Sequence, residues 1–209
     1  GSTGWEPTGT LHAWPGGLAF NSDGTLAAAM SADGTGYVVA AVTDSGPELL
    51  AEAGLPDQVV PSAFDFSPSG LLAVGALNGG VSIIDLSDPA KPHATARVLD
   101  AHASLERLRF SLDGKHLLAT SIEGDLWVWD GAEETPALSL RIKHPTASIA
   151  GADLADDQLL LALSDNTAVT WPGNATAAAA DLCSRLGTPL TSREWTQLAP
   201  GVPFMNGCS

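Results

Sequence analysis

Positive charge is scarce in this chain. Lysine and arginine together number 9, against 24 aspartate and glutamate residues, and the formal net charge is −15 over 209 residues. Proteins that bind nucleic acid or an anionic membrane surface do so through clusters of basic side chains. The composition therefore argues against both kinds of partner. The excess of acid favours either plain solubility or a protein partner that presents basic or polar groups.

Long apolar runs and known catalytic motifs are also lacking. No run of 18 or more apolar residues occurs, so no transmembrane helix is predicted. The chain contains no Gly-x-Ser-x-Gly elbow, no His-Glu-x-x-His pair and no glycine-rich phosphate loop. We therefore expect neither an enzyme nor a cofactor or metal site.

One pattern, in contrast, recurs four times. Its anchor residues are Phe20, Phe66, Phe110 and Leu154, which are separated by 46, 44 and 44 residues. Each anchor lies in an apolar stretch and is followed by a turn with Gly or Asp, and then by a second apolar strand. A period of about 40–45 residues with this content is typical of β-propeller blades.

The third repeat shows the pattern most clearly. Strands are predicted at 105–110, 116–120 and 126–129, with turns at Asp113-Gly114 and Glu123-Gly124. The Asp-Gly turn tolerates a positive φ, which tight hairpins need. Three strands so close together leave no room for a crossover helix, so the sheet is predicted to be antiparallel.

This repeat resembles a WD repeat. The matching residues are His102, the run Phe110-Ser111-Leu112-Asp113-Gly114, Ala119-Thr120-Ser121, Gly124 and Trp129-Asp130. Ala101 and Glu123 depart from the family pattern, which has Gly and Asp there. The resemblance implies a buried hydrogen-bond network within the blade. Its members would be His102, Thr120 or Ser121, Glu123 and Trp129, with His12 in the histidine position of the first repeat.

The repeats together predict an all-β, WD-type β-propeller of four blades with a short helical C-terminal appendix. The predicted bounds are 8–51, 52–98, 99–143 and 144–172 for the blades and 173–209 for the appendix. Residues 8–12 are predicted to form a strand that completes the last blade. WD-type rings usually have seven or eight blades, which leaves three interpretations open: a partner chain that supplies the rest of the ring, a homodimer of eight blades, or a closed four-bladed ring.

The appendix contains the only two cysteines. A first helix is predicted from Ala175 to Leu186, ended by Gly187, and a second helix starts at a capping box, Thr191–Glu194. Cys183 and Cys208 are too far apart for a CxxC motif and have no zinc-ligand neighbours. They form either a disulfide, which we prefer, or two unpaired thiols. A disulfide would favour an extracytoplasmic location, although the sequence is equally compatible with the cytoplasm.

The tail is similar to the appendix that ends propellers in actinobacterial repeat proteins. The similarity covers Cys183, residues 190–195, residues 200–204 and Cys208. It implies the C-terminal sensor or interaction part of a larger bacterial chain, whose other domain is a kinase, a protease-like domain or an ATPase.

The predicted function is that of a non-catalytic scaffold or sensor for protein binding, in the C-terminal half of the propeller of a signalling or regulatory protein. A rigid disc with variable turns suits this role. The alternative is a propeller lyase or hydrolase with its site in the central channel, which requires convergent polar side chains on the inner strands. Those strands contribute the mostly apolar set Leu18, Phe64, Leu108 and Ala152.

Overall fold

The computed structural model describes residues 9–55, 58–144, 146–186 and Arg193. Within these ranges the chain forms fifteen β-strands followed by one α-helix. The strands make four antiparallel sheets, each built from strands that are consecutive in the chain. The predictions of an all-β fold and of antiparallel sheets are therefore confirmed.

The sheets follow the predicted repeats in order along the chain. The first sheet contains β1 (Ala13–Phe20), β2 (Leu26–Ser31), β3 (Gly36–Thr43) and β4 (Gly46–Gly54). The second contains β5 (Pro61–Phe66), β6 (Leu72–Ala76), β7 (Gly80–Asp85) and β8 (His93–Asp100). The third contains β9 (Leu105–Phe110), β10 (His116–Ser121), β11 (Asp125–Asp130) and β12 (Ala137–Lys143). The fourth contains β13 (Ile149–Ala155), β14 (Gln158–Leu163) and β15 (Ala168–Pro172).

The turns after the first strands of the first three sheets are held by their own side chains, as the β9–β10 turn shows. The Ser111 hydroxyl donates to Asp113 Oδ1 at 2.7 Å, and the Lys115 amide donates to the same oxygen at 3.1 Å. These two hydrogen bonds, led by the one from Ser111, lower the pKa of Asp113 to about 2. Gly114 takes a φ of 72°, which explains why Gly follows the acid. The same bonds recur in the β2–β3 turn at Ser31, Asp33 and Thr35.

Consecutive sheets pack face to face, and the second strand of each sheet shows how. Leu117 of β10 lies in the apolar core between the second and third sheets, whereas its neighbour Leu118 lies in the core between the third and fourth. We call these two sides of a sheet the backward face and the forward face. The forward-face residues equivalent to Leu118 are Ala28, Ala73 and Leu160, as judged from strand register.

In the described part of the chain, no further sheet covers the forward face of the fourth sheet, although the helix that follows (Ala175–Leu186) lies beside Gln158, Thr170 and Pro172 at one end of this face. Leu160 is 53% exposed, whereas its equivalents Ala73 and Leu118 are buried under the sheet that follows. Ala162, Ala168 and Thr170 are exposed beside it. A closed arrangement of four sheets would bury Leu160 against the first sheet, and this does not occur among the described residues.

The backward face of the first sheet differs from the open face of the fourth. Leu18 and Phe20 of β1 are 62% and 53% exposed, although their equivalents Phe64 and Phe66 in β5 are buried. Ala40 of β3, on the same face, is nevertheless fully buried. The fourth sheet therefore carries the more open of the two end faces.

Two predictions for the chain ends have different outcomes. Residues 9–12 belong to no strand, and Gly9 lies beside Gly46 and Pro47 at the β3–β4 turn. The prediction that this segment completes the last blade is therefore wrong for residues 9–12, because none of them lies in a strand and the described fourth sheet contains only β13, β14 and β15. The helix α1 (Ala175–Leu186) does span the predicted range, with Asn174 Oδ1 accepting from the Ala177 amide at 2.8 Å.

Other tail predictions lie outside the described residues. The second helix falls there except for Arg193, and so does Cys208, so the Cys183–Cys208 disulfide stays a prediction. Among the described helices, none has the length and apolarity needed to cross a membrane.

Candidate functional site

The first strands of the four sheets line a common groove. Its volume is about 580 Å³, within the range of small-molecule sites, roughly 300–1,000 Å³. Each of the four strands contributes two or more residues to its wall. The lining residues are Gly17, Leu18, Ala63, Phe64, Glu106, Arg107, Leu108, Arg109, Leu118, Thr120, Gly151 and Ala152.

A repeated β-bulge sets which side chains face this groove. Ser62, Glu106 and Ala150 are each the extra residue where the first strand of a sheet slips against the second. These three positions are spaced by the 44-residue period of the repeat. A bulge places two adjacent residues opposite one partner and re-aims the side chains around it. In β9 both Glu106 and Arg107 are consequently exposed.

Arg107 is the only large side chain at its level of the repeat. The equivalent positions in the other first strands are Gly17, Ala63 and Gly151, and all three line the groove. The Arg107 side chain is 65% exposed, and its Nη2 lies 4.0 Å from Glu106 Oε1. An exposed pair at that distance is worth about 0–1 kcal/mol. The guanidinium is therefore held only loosely, beside a hollow made by small residues.

Arg109, two residues after Arg107 in β9, belongs to a row of charged side chains at equivalent positions of three first strands. Its equivalents are Asp65 in β5 and Asp153 in β13, so the row alternates in sign. Arg109 Nη2 lies 3.5 Å from Asp153 Oδ2, and Asp65 Oδ2 accepts the Phe110 amide hydrogen at 2.6 Å. Burial raises the pKa of Asp65, while the Phe110 hydrogen bond and the charge of Arg109 act against that rise. Arg109 therefore interacts with the carboxylates of Asp65 and Asp153 in neighbouring sheets, whereas Arg107 contacts no carboxylate of a neighbouring sheet among the described residues.

A second charged cluster lies on β11 and β12 of the third sheet. The Asp125 side chain is only 3% exposed and receives Arg141 Nη2 at 2.9 Å and Lys143 Nζ at 3.3 Å. Arg141 also lies 5.1 Å above the Trp127 ring, in cation–π contact. Burial alone would raise the pKa of Asp125, but the two cations lower it overall. Both cations of the cluster already contact the Asp125 carboxylate, so we interpret the cluster as stabilising the third sheet.

The residues expected in the WD-type network are not brought together. His102 is 86% exposed, adopts a φ of 51° and pairs through Nδ1 with Asp100 Oδ2 at 2.8 Å. Glu123 is exposed, whereas Trp129 and the Thr120 hydroxyl are buried, and the described residues offer this hydroxyl no hydrogen-bond partner. None of the hydrogen bonds among the described residues links these four.

The remaining predicted members lie apart as well. Ser121 Oγ accepts the Asp125 amide hydrogen at 3.2 Å, and His12 is exposed ahead of β1. In the described part of the chain, no group of three or more His, Cys, Asp or Glu side chains is arranged to hold a metal ion.

The charged groove residues were missed in the sequence. The expectation of mostly apolar inner strands considered only the level of Leu18, Phe64, Leu108 and Ala152. Aligning the repeats one residue earlier would have shown Arg107 opposite Gly17, Ala63 and Gly151. The groove is therefore more polar than expected, with its charge supplied by β9 alone.

Comparison of the chain with protein-family models gives no match, and comparison with curated proteins gives none either. The function is therefore argued from geometry.

Proposed function

We propose that the chain is a segment of a β-propeller with WD-like strand order and that it serves as a non-catalytic protein-interaction module. The proposal rests on the exposed apolar surface around Leu160 on the forward face of the fourth sheet. A second polypeptide binds there and continues the stack of sheets, as expected for the C-terminal half of a propeller in a larger regulatory protein.

The interfaces inside the chain support this proposal. The forward face of each of the first three sheets is covered by the backward face of the next sheet. The fourth sheet repeats the same face with Leu160 and Ala162, in a strand where buried and exposed residues alternate. Apolar side chains at this position are buried in every earlier sheet, so their exposure marks an interaction surface.

Charge indicates what the partner presents. Asp153 lies on the same forward face, where it pairs in register with Leu160. It is the last of the three equivalent charged positions in the first strands, after Asp65 and Arg109. An alternating row continues with a basic residue. The partner surface is therefore an apolar sheet face with Lys or Arg near Asp153, which also suits a chain of net charge −15.

A site-specific cross-linking experiment tests the proposal. A photo-reactive amino acid replaces Leu160 in the protein as produced in its native cells, and a matched chain carries it at Leu112, which is 80% exposed on the β9–β10 turn. We expect one discrete adduct from position 160 and none from position 112. Adding Ala162→Glu, which places a charge on the same face, should abolish the adduct.

Mass analysis of the adduct identifies the partner. Twice the mass of the uncross-linked protein from the same cells indicates a second copy, and any other single larger mass indicates a different polypeptide. Both support an interaction module. A diffuse ladder, equal labelling from position 112, or no adduct would contradict it.

A further inference from the structure

The structure assigns a second binding site to the groove between the first strands: we propose that Arg107 binds the carboxylate of a small organic acid whose apolar body lies against Leu18 and its neighbours. The site lies within one chain. It therefore depends neither on the partner at the fourth sheet nor on the propeller interpretation.

The first step of the argument is the isolation of Arg107. The chain has only nine basic side chains, and those most deeply engaged already face carboxylates, as Arg109 faces Asp153 and Arg141 faces Asp125. Among the described residues, Arg107 faces only Glu106, at the 4.0 Å limit of an ion pair. A guanidinium presents a planar fork of donors that matches a carboxylate in two-point geometry. Arg107 retains that capacity for a ligand.

The second step is the space around it. Gly17, Ala63 and Gly151 occupy the positions equivalent to Arg107 and leave room where larger side chains would fill the groove. An added Cβ at Gly151 would meet no atom within 4 Å, whereas one at Gly17 would lie 2.9 Å from the Phe64 ring, so the open space lies on the Gly151 side of the groove. The small residues therefore keep a cavity of about 580 Å³ open beside the guanidinium.

The third step is the character of the remaining wall. Leu18 is largely exposed, and Phe64, Leu108 and Ala152 complete an apolar side to the groove. Ligand sites typically combine such an apolar lining with a few polar groups that fix orientation. One cation beside an apolar wall matches a monocarboxylate with an apolar body. Polyanions are disfavoured, because the net charge of −15 repels them.

A titration followed by amide chemical shifts tests the site on the full chain. The probe is 4-phenylbutyrate, with 4-phenylbutyramide as the neutral counterpart and inorganic phosphate as an anion without an apolar body. We expect saturable shifts from the acid at the amides of Gly17, Ala63 and Gly151, and much weaker binding of the amide and of phosphate.

Three variants separate the site from general charge effects. Arg107→Gln should weaken binding of the acid about tenfold or more, the scale of one charge-assisted hydrogen bond. Glu106→Gln removes the competing carboxylate and should strengthen binding several-fold. Lys91→Gln removes an equal charge from an exposed site on the β7–β8 connection and should leave binding unchanged.

The outcomes that overturn the proposal are equally specific. They are the absence of saturable shifts, equal binding of acid and amide, phosphate binding as tight as that of the acid, or an Arg107→Gln chain that binds like the parent. Because Arg107 is exposed, its variant is expected to stay folded, and superimposable spectra outside the groove check this. The cross-linking result at position 160 does not bear on any of these outcomes.

Discussion

The Arg109 guanidinium lies 3.5 Å from the Asp153 carboxylate, and the two residues occupy equivalent positions 44 residues apart in neighbouring sheets. Asp65, another 44 residues upstream, accepts the amide hydrogen of Phe110 at 2.6 Å. One repeat position thus carries acid, base and acid in three consecutive first strands. The 44-residue spacing that relates equivalent strands therefore also relates the residues whose charges and hydrogen bonds connect neighbouring sheets.

Replacing Arg109 with methionine should destabilise the protein in a pH-dependent way. Burial already raises the folded pKa of Asp65, and removing the cation raises it further. Both members of the Arg109–Asp153 pair are half exposed, so we expect a loss of about 1 kcal/mol at pH 7. The native state holds the Asp65 proton more tightly than the unfolded state does. The loss is therefore fully present above the folded pKa and vanishes below the ordinary value of 3.8.

Urea unfolding at a series of pH values measures this difference. Arg107→Met serves as the control, since its nearest carboxylate lies 4.0 Å away in an exposed pair, and it should have no measurable effect. Adding Asp65→Asn to Arg109→Met should restore part of the stability, since Asn keeps an acceptor for Phe110 and carries no charge. Equal losses in the Arg107 and Arg109 variants would refute the charge row.

How far the fold follows from the sequence depends on the strand. Alternating apolar residues and Asp-Gly turns predicted β9, β10 and β11 within one or two residues. The fourth strand β12 was missed because its residues are mostly exposed and show no clean alternation. The groove was missed for another reason. The bulge at Glu106 changes which side chains of β9 face the groove, and the alternation of apolar and polar residues does not predict where a bulge occurs.

The network implied by the WD resemblance shows the limit of matching residue types. His102 has the expected position in the chain, but its nearest partner is Asp100, two residues before it. The Asp100 carboxylate pairs with the His102 ring and accepts a hydrogen bond from the His102 backbone amide. A left-handed φ of 51° accompanies this local pairing. Similar residues at similar spacing therefore do not guarantee the same hydrogen bonds when a nearer acceptor competes.

Thr120→Val tests directly whether the network exists. The Thr120 hydroxyl is buried and has no hydrogen-bond partner in the part of the chain that the structure describes. Valine has nearly the same shape without the hydroxyl, so the variant should be as stable as the parent or more stable by up to about 1 kcal/mol. Thermal unfolding followed by circular dichroism measures the change. A loss above about 1 kcal/mol would show that the hydroxyl has a partner, as the WD resemblance implies.

Asp113→Asn should reduce the acid sensitivity of the protein. Hydrogen bonds from Ser111 and Lys115 lower the folded pKa of Asp113 to about 2 from its ordinary value of 3.8. Its contribution is therefore complete above pH 3.8 and is lost as the pH falls through about 2. The carboxylate is half exposed, so solvent limits the contribution to about 1 kcal/mol or less.

The comparison of unfolding free energies at pH 7 and pH 2 isolates this effect. The parent and Asp113→Asn should differ at pH 7, and most of that difference should be lost at pH 2. Asp44→Asn, on the exposed β3–β4 turn, should match the parent at both values. A constant difference across the whole pH range would mean that the turn depends on shape and not on the charge of Asp113.

Among Gly→Ala substitutions in the hairpin turns, Gly124→Ala should lower the free energy of unfolding most. Gly124 has a φ of 80°, where an L-residue is strained by roughly 1 to 2 kcal/mol. A Cβ there would also collide with Ser148, the residue before β13, where the Ile149 amide donates to the Gly124 carbonyl at 3.1 Å. Overpacking adds roughly 1 to 3 kcal/mol when the neighbouring residue is held in place by a backbone hydrogen bond.

Gly34→Ala is the matched control, since Gly34 has a φ of 73° but open space around its Cβ position. Urea unfolding should therefore show a small loss for Gly34→Ala and a clearly larger one for Gly124→Ala. Equal losses would mean that the third and fourth sheets do not meet at this turn, and the stacking that leaves Leu160 as the open end would have to be revised.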